Sequence, residues 1–167
     1  MSLKKGVNSP LSSGYRPECD ASPELDGNDA SYYASLIGML RWIVEMGRVD
    51  ICCEVSMMSS HVALPREGHM QQVLHIFTYL KAHHNARLVL DPTYPDIDEE
   101  AFERKEWRSF NGDVKEIKPE GMPKPLGPEM IIRAFVDADF AGNQVLRRSR
   151  TGFIVMKNMA PIYWLSR

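Results

Sequence analysis

From residue 28 the apolar positions of the chain fall into a helical rhythm. Tyr33, Leu36, Ile37, Leu40 and Val44 recur at i, i+3, i+4, i+7 and i+11, the stripe of an amphipathic helix that Asn28, Asp29 or Ser31 could cap and Gly47 would stop. Ile51, Val55, Met58 and Val62 predict a second helix, starting near Asp50 as N-cap and ending before Pro65. Met70, Val73, Leu74, Phe77 and Leu80 predict a third, opening at Pro65 or Arg66 and running to the His83-His84-Asn85 end. Short loops join the three, which read as a small helical subdomain over 28–90.

The period changes near residue 130. Ile131, Ile132, Ala134, Phe135 and Val136 predict a strand ending at Asp137-Ala138-Asp139, Thr151 to Lys157 a second, and Pro161 to Ser166 a third after a turn at Asn158-Met159. Three consecutive short strands predict an antiparallel meander. A meander must cover its apolar face, and no further element follows in this sequence, so the sheet reads as truncated. The expected fold class is therefore α+β, a three-helix subdomain followed by the start of a sheet domain.

The remaining segments carry weaker patterns. Residues 1–27 are rich in Ser, Pro, Gly and Asp without a sustained period, and read as an extended connector. Arg87 to Leu90 is a short apolar run that could form a strand. Residues 91–129 hold six of the eleven prolines and read as an insert or linker, with a short helix from Asp98 to about Trp107. Its aromatics, Phe102, Trp107 and Phe110, are expected to fold back onto a neighbour.

Charge sharpens this division. The whole chain has 20 Lys and Arg against 22 Asp and Glu, a net −2, which excludes a histone-like basic protein. By segment, 1–90 carry 8 basic and 9 acidic residues, 91–129 carry 6 and 11, and 130–167 carry 6 and 2. Any contact with nucleic acid must come from a local patch, and the sheet segment is the basic one. No apolar stretch approaches the ~18–20 residues of a membrane span, and no apolar run follows Lys4 and Lys5 as a secretory leader would require. The chain reads as intracellular, in cytoplasm or nucleus. Cys19, Cys52 and Cys53 are an odd set with two neighbours adjacent, which argues against a disulfide framework. Five histidines lack a zinc-site spacing, and His69 and His75 are poorly placed for one helical face, so they read as surface or capping residues.

Two features could carry chemistry. Asp137 and Asp139 lie two apart on a strand end, so both carboxylates project to one side, as a hard divalent cation requires; the same pair before Ala-Gly also simply makes a turn. Asp137, Asp139 and Gly142 match the first, third and sixth places of an EF-hand, but Arg148 stands at the twelfth and excludes it. Arg147, Arg148 and Arg150 follow in the next loop, where guanidinium groups suit phosphate oxygens or merely a solvated hairpin. Trp42, Tyr79, Tyr163 and Trp164 could stack on bases, although their spacing equally suits a core.

Taken together, the residues resemble a known family. Tyr32-Tyr33-Ala34-Ser35-Leu36-Ile37-Gly38-Met39-Leu40-Arg41-Trp42, Val49-Asp50-Ile51, and His69 with Tyr79-Leu80-Lys81 resemble the copia-type retrotransposon polyprotein just after its polymerase palm. Phe135 to Gly142, Arg147 to Phe153 and Ile162 to Arg167 resemble the first strands of its ribonuclease H domain, in the same order. Val49 departs from the usual proline before Asp-Ile, and Met70 from the usual tryptophan after histidine.

The resemblance implies that 28–90 form the helical C-terminal part of a reverse transcriptase and 130–167 the truncated start of an RNase H-like domain. The parent would copy RNA into DNA and hydrolyse the RNA of RNA/DNA hybrids with Mg²⁺, its partners being the hybrid and the rest of the polyprotein. Asp137 matches the first metal-binding catalytic carboxylate of that domain and Asp139 a family-typical position, read as a loop-shaping or auxiliary residue, while Arg147, Arg148 and Arg150 are the expected nucleic-acid contact. The polymerase Tyr-x-Asp-Asp turn and the other RNase H carboxylates are absent from this sequence, so the resemblance implies an inactive fragment. The alternative is a non-catalytic module, retained from a retroelement, that binds nucleic acid or protein.

Overall fold

The computed structural model describes residues 7–97, 108–113, 117, 119–124 and 126–167. Its elements are α1 (Gly27–Glu45), α2 (Cys52–Ser59), α3 (Glu67–Ala82), α4 (Arg108–Asn111), and strands β1 (Ile132–Ala138), β2 (Thr151–Lys157) and β3 (Ala160–Ser166), an α+β chain. Two 3-10 turns, Pro17–Cys19 and Val49–Ile51, precede α1 and α2.

The expected stripe of α1 is its buried face: Tyr33, Leu36, Ile37, Leu40 and Val44 meet Ile51, Val55 and Met58 from the α2 region and Val73 and Ile76 from α3. At the centre the Tyr33 hydroxyl donates to the Met58 carbonyl at 2.8 Å, which satisfies the one polar atom of a fully buried ring. Helix boundaries differ from the sequence reading. Asp26 caps α1, its carboxylate accepting from the Asn28 and Asp29 amides, because it stands one residue ahead of the helix. Asp50 caps nothing: Arg48 forks onto its carboxylate at 2.7 and 2.9 Å and holds it below the ordinary range. Val62 lies beyond the end of α2, and Pro65 precedes the Arg66 cap of α3.

The largest correction concerns the expected connector. Residues 7–25 form a strap docked on α3. Glu67 N donates to Pro23 O, Leu25 N to Pro65 O and Gly68 N to Ser22 Oγ, so the strap supplies acceptors for the open end of α3. Asp20 closes this corner, accepting from Ser22 and from the Tyr15 hydroxyl at 2.6 Å. Although burial opposes it, these bonds hold the Asp20 carboxyl below its ordinary value. Gly68 is required here, since a Cβ would lie 1.9 Å from Asp20 Oδ2.

Along α3, ring nitrogens of His69, His75 and His83 lie 3.0, 3.1 and 2.9 Å from the carbonyls of Pro17, Ser9 and Val7. Gln72 Oε1 also accepts from Ser12 N at 3.0 Å, and residues 69, 72, 75 and 83 fall within an arc of about 120° on a helix, the track of a strap crossing it obliquely. His69 also accepts the Arg66 amide at Nδ1, which fixes its Nε2 as the donor to Pro17.

The strands form the expected meander, order β1-β2-β3, antiparallel, with Ile162 bulged out where the β2–β3 register shifts. Asn158 does more than turn the hairpin. In left-handed backbone (φ +53°), its buried side chain accepts from Ile131 N and donates to Pro92 O. Two expectations fail in the middle of the chain. No strand forms over 87–90, which has no pairing partner, and Phe110 is 84% exposed instead of folding back. The helix expected from Asp98 to Trp107, with Phe102, lies outside the described residues.

Candidate functional site

Register decides which side chains share a face. Asp137 pairs with Gly152, Phe135 with Ile154, and Ile154 with Trp164, so Asp137 stands on the same sheet face as Trp164. That face turns to the helices: Trp164 packs against their core and its Nε1–H donates to Val44 O at 3.1 Å. Asp137 and Asp139 line a cavity of about 370 Å³ beneath it, together with Cys52, Cys53 and Arg150.

The two aspartates are not equivalent. Asp139 is committed to the loop: its carboxylate accepts from Arg150 N, its own amide donates to Arg150 O at 3.0 Å, and Oδ2 lies 1.8 Å from where a Gly142 side chain would begin. It shapes the turn. Asp137 stays exposed at the strand end. Among the described residues no group of three His, Cys, Asp or Glu side chains converges.

The loop between β1 and β2 separates the three expected arginines. Asn143 organises it by accepting from Val145 N and Leu146 N, and Arg147 takes left-handed backbone (φ +54°) as its amide donates to Asn143 O. Arg148 and Arg150 instead line a cleft of about 550 Å³ between this loop, the Pro17–Cys19 turn and the last turns of α2; Arg147 does not. Arg150 crosses to the helices, donating to Ser56 Oγ at 2.6 Å. From the strap, Arg16 donates to Gly142 O at 3.3 Å and also lines the cleft.

No family model, curated protein or solved structure matches the chain.

Residue types alone single out Asp137, Arg147, Arg148 and Arg150, of which Arg147 lies off the cleft, but not Arg16 or His61. Arg16 stands in a segment without periodicity and reaches the site only because the strap docks. His61 follows α2 and stacks on His69 with ring centroids 4.4 Å apart; burial and His69 push its pKa down. Of the aromatics considered for stacking, Trp42 (66% exposed) and Tyr163 (52%) face solvent, whereas Tyr79 and Trp164 pack on the core. Among the described residues no helix is long and apolar enough to cross a membrane.

Proposed function

We propose that this chain is a section of a copia-type retrotransposon polyprotein, where the last helices of the reverse transcriptase meet the first strands of an RNase H-like domain. Its own part is to hold nucleic acid, the cutting being left to the larger parent. The observation that carries the reading is the coincidence of motif and topology. The three stretches that resemble the ribonuclease H domain fall on β1, the β1–β2 loop with β2, and β3 of one antiparallel meander, with Asp137 on the face turned to the helices.

The chemistry of the site supports holding over cutting. Asp137 is the one carboxylate here that matches the family's metal-binding positions, and one carboxylate cannot clamp both the attacking and leaving oxygens of a phosphodiester, while Asp139 is spent on the loop. The second reading, a retained module without catalysis, is favoured by the arginine cleft, which needs no metal. Both readings give the same first test. A labelled RNA/DNA hybrid with Mg²⁺ should bind at low salt, dissociate as salt rises, and stay uncut. Cleavage that disappears in Asp137→Asn would overturn the inactive reading, and absence of binding at low salt would remove nucleic acid from both. An in-frame Tyr-x-Asp-Asp sequence upstream in the genome separates the polyprotein from the isolated module.

A further inference from the structure

The cleft behind the β1–β2 loop is built from segments far apart in sequence. Arg16 comes from the strap, Arg148 and Arg150 from the loop, and Ser56 and His61 from α2 and its exit. Among the described residues, the ion-paired arginines are Arg48 with Asp50 and Arg66 with Glu24; Arg16, Arg148 and Arg150 have no carboxylate partner. The two acids lining the cleft are turned onto backbone amides, Glu18 onto Gln144 N at 3.2 Å and Asp139 onto Arg150 N. Four arginines, Arg16, Arg148, Arg150 and Arg167, thus line one space against two carboxylates, Glu18 and Asp139, an excess of positive charge that a bound anion relieves. The volume, about 550 Å³, suits a phosphate ester with part of its sugar.

We infer that this cleft is a phosphate-binding site formed by Arg16, Arg148 and Arg150, without Arg147, and that it seats a phosphodiester of a nucleic-acid strand. The strand as the source of the phosphate rests on the function proposed above; the cleft as a phosphate site does not. Arg147 is excluded by its backbone, which the loop holds in a left-handed turn away from the cleft. His61, its pKa pushed down by burial and by its neighbour His69, lines the same cleft.

The test uses the full chain in two arms. In the first, anisotropy of a labelled RNA/DNA hybrid is followed for the wild type and for Arg16→Ala, Arg147→Ala and Arg148→Ala. Arg16→Ala and Arg148→Ala should each weaken binding by roughly threefold or more and flatten the salt dependence by about one phosphate contact, with Arg147→Ala close to wild type. In the second, inorganic pyrophosphate is titrated and amide resonances of Arg16, Arg150 and His61 are followed. They should shift in the wild type and not in Arg16→Ala/Arg148→Ala. Because Arg16 also bonds Gly142 O, Arg16→Lys provides a folded control that keeps charge but loses the fork, and should fall between wild type and alanine. Hybrid binding that depends on Arg147 as much as on Arg148, with no pyrophosphate shift, overturns the cleft and leaves the proposed function standing. Pyrophosphate shifts without hybrid binding keep the phosphate site and overturn the strand as its source.

Discussion

The helical part and the sheet of this chain are held together by different means. Apart from Pro95, every buried apolar side chain among the described residues lies between Leu11 and Ile76, on the strap, the helices and the loops between them, whereas no strand residue is fully buried and the β2–β3 turn buries the polar Asn158. On its outward face Ile132 is 71%, Val136 69% and Tyr163 52% exposed. The helices carry their own core, and the sheet leans on them through Trp164 to Val44 and Arg150 to Ser56. The candidate chemistry sits on the part with the weaker anchorage, where a loop can adjust to a ligand.

Truncating matched residues in the two parts should break or sharpen this contrast most clearly. Leu40→Ala removes a fully buried side chain, with an expected cost of about 2–5 kcal/mol in urea unfolding. Val136→Ala, on the open sheet face, should cost within about 0.5 kcal/mol. Equal costs would mean that the sheet is packed as the helices are. Gly68→Ala comes next: the new methyl must displace Asp20, and with it the strap, at about 1–3 kcal/mol, visible as earlier proteolysis of the first 25 residues. Trp164→Phe keeps the ring in place but removes its bond to Val44 O, leaving a loss of about 1 kcal/mol concentrated in the sheet.

The smallest effect is one of pH. Asp20 has a folded pKa below its unfolded one, so the unfolded chain binds the extra proton in that window and stability rises with pH. The contribution is complete above the ordinary carboxylate value and is lost as pH falls through the folded one. Asp20→Asn should flatten the acid limb of the stability profile, measured by chemical unfolding between pH 3 and 6, and an unchanged limb would remove Asp20 from the account.

What could be read in advance follows the same division. The stripe of α1 and the alternation of three strands are side-chain patterns, and they emerge as expected; on α3 the expected Val73 is buried, but Leu74 is 46% exposed and Ile76, outside the expected stripe, takes its place in the core. The strap is different because, besides Leu11 and the Ser22 hydroxyl, it is held by backbone carbonyls of Val7, Ser9 and Pro17, which no residue type announces. For that reason three histidines that look unrelated by spacing share one task. Asp26 is hidden among several polar residues able to cap, and the 87–90 run has strand composition without a partner. At the site, residue chemistry points to Asp137 and to Arg147, Arg148 and Arg150 alike, but neither to Arg16, whose position depends on the strap, nor to the separation of Arg147 from the other two by a left-handed turn.

The most direct test is amide hydrogen exchange of the whole chain with and without an RNA/DNA hybrid. In the free protein, amides of α1 and α3 should exchange most slowly and those of β1–β3 faster, and the hybrid should add protection at residues 16–18, 56–61 and 142–150 while leaving 70–82 unchanged. Strands that exchange as slowly as α1, or hybrid protection that avoids the cleft, would contradict the account.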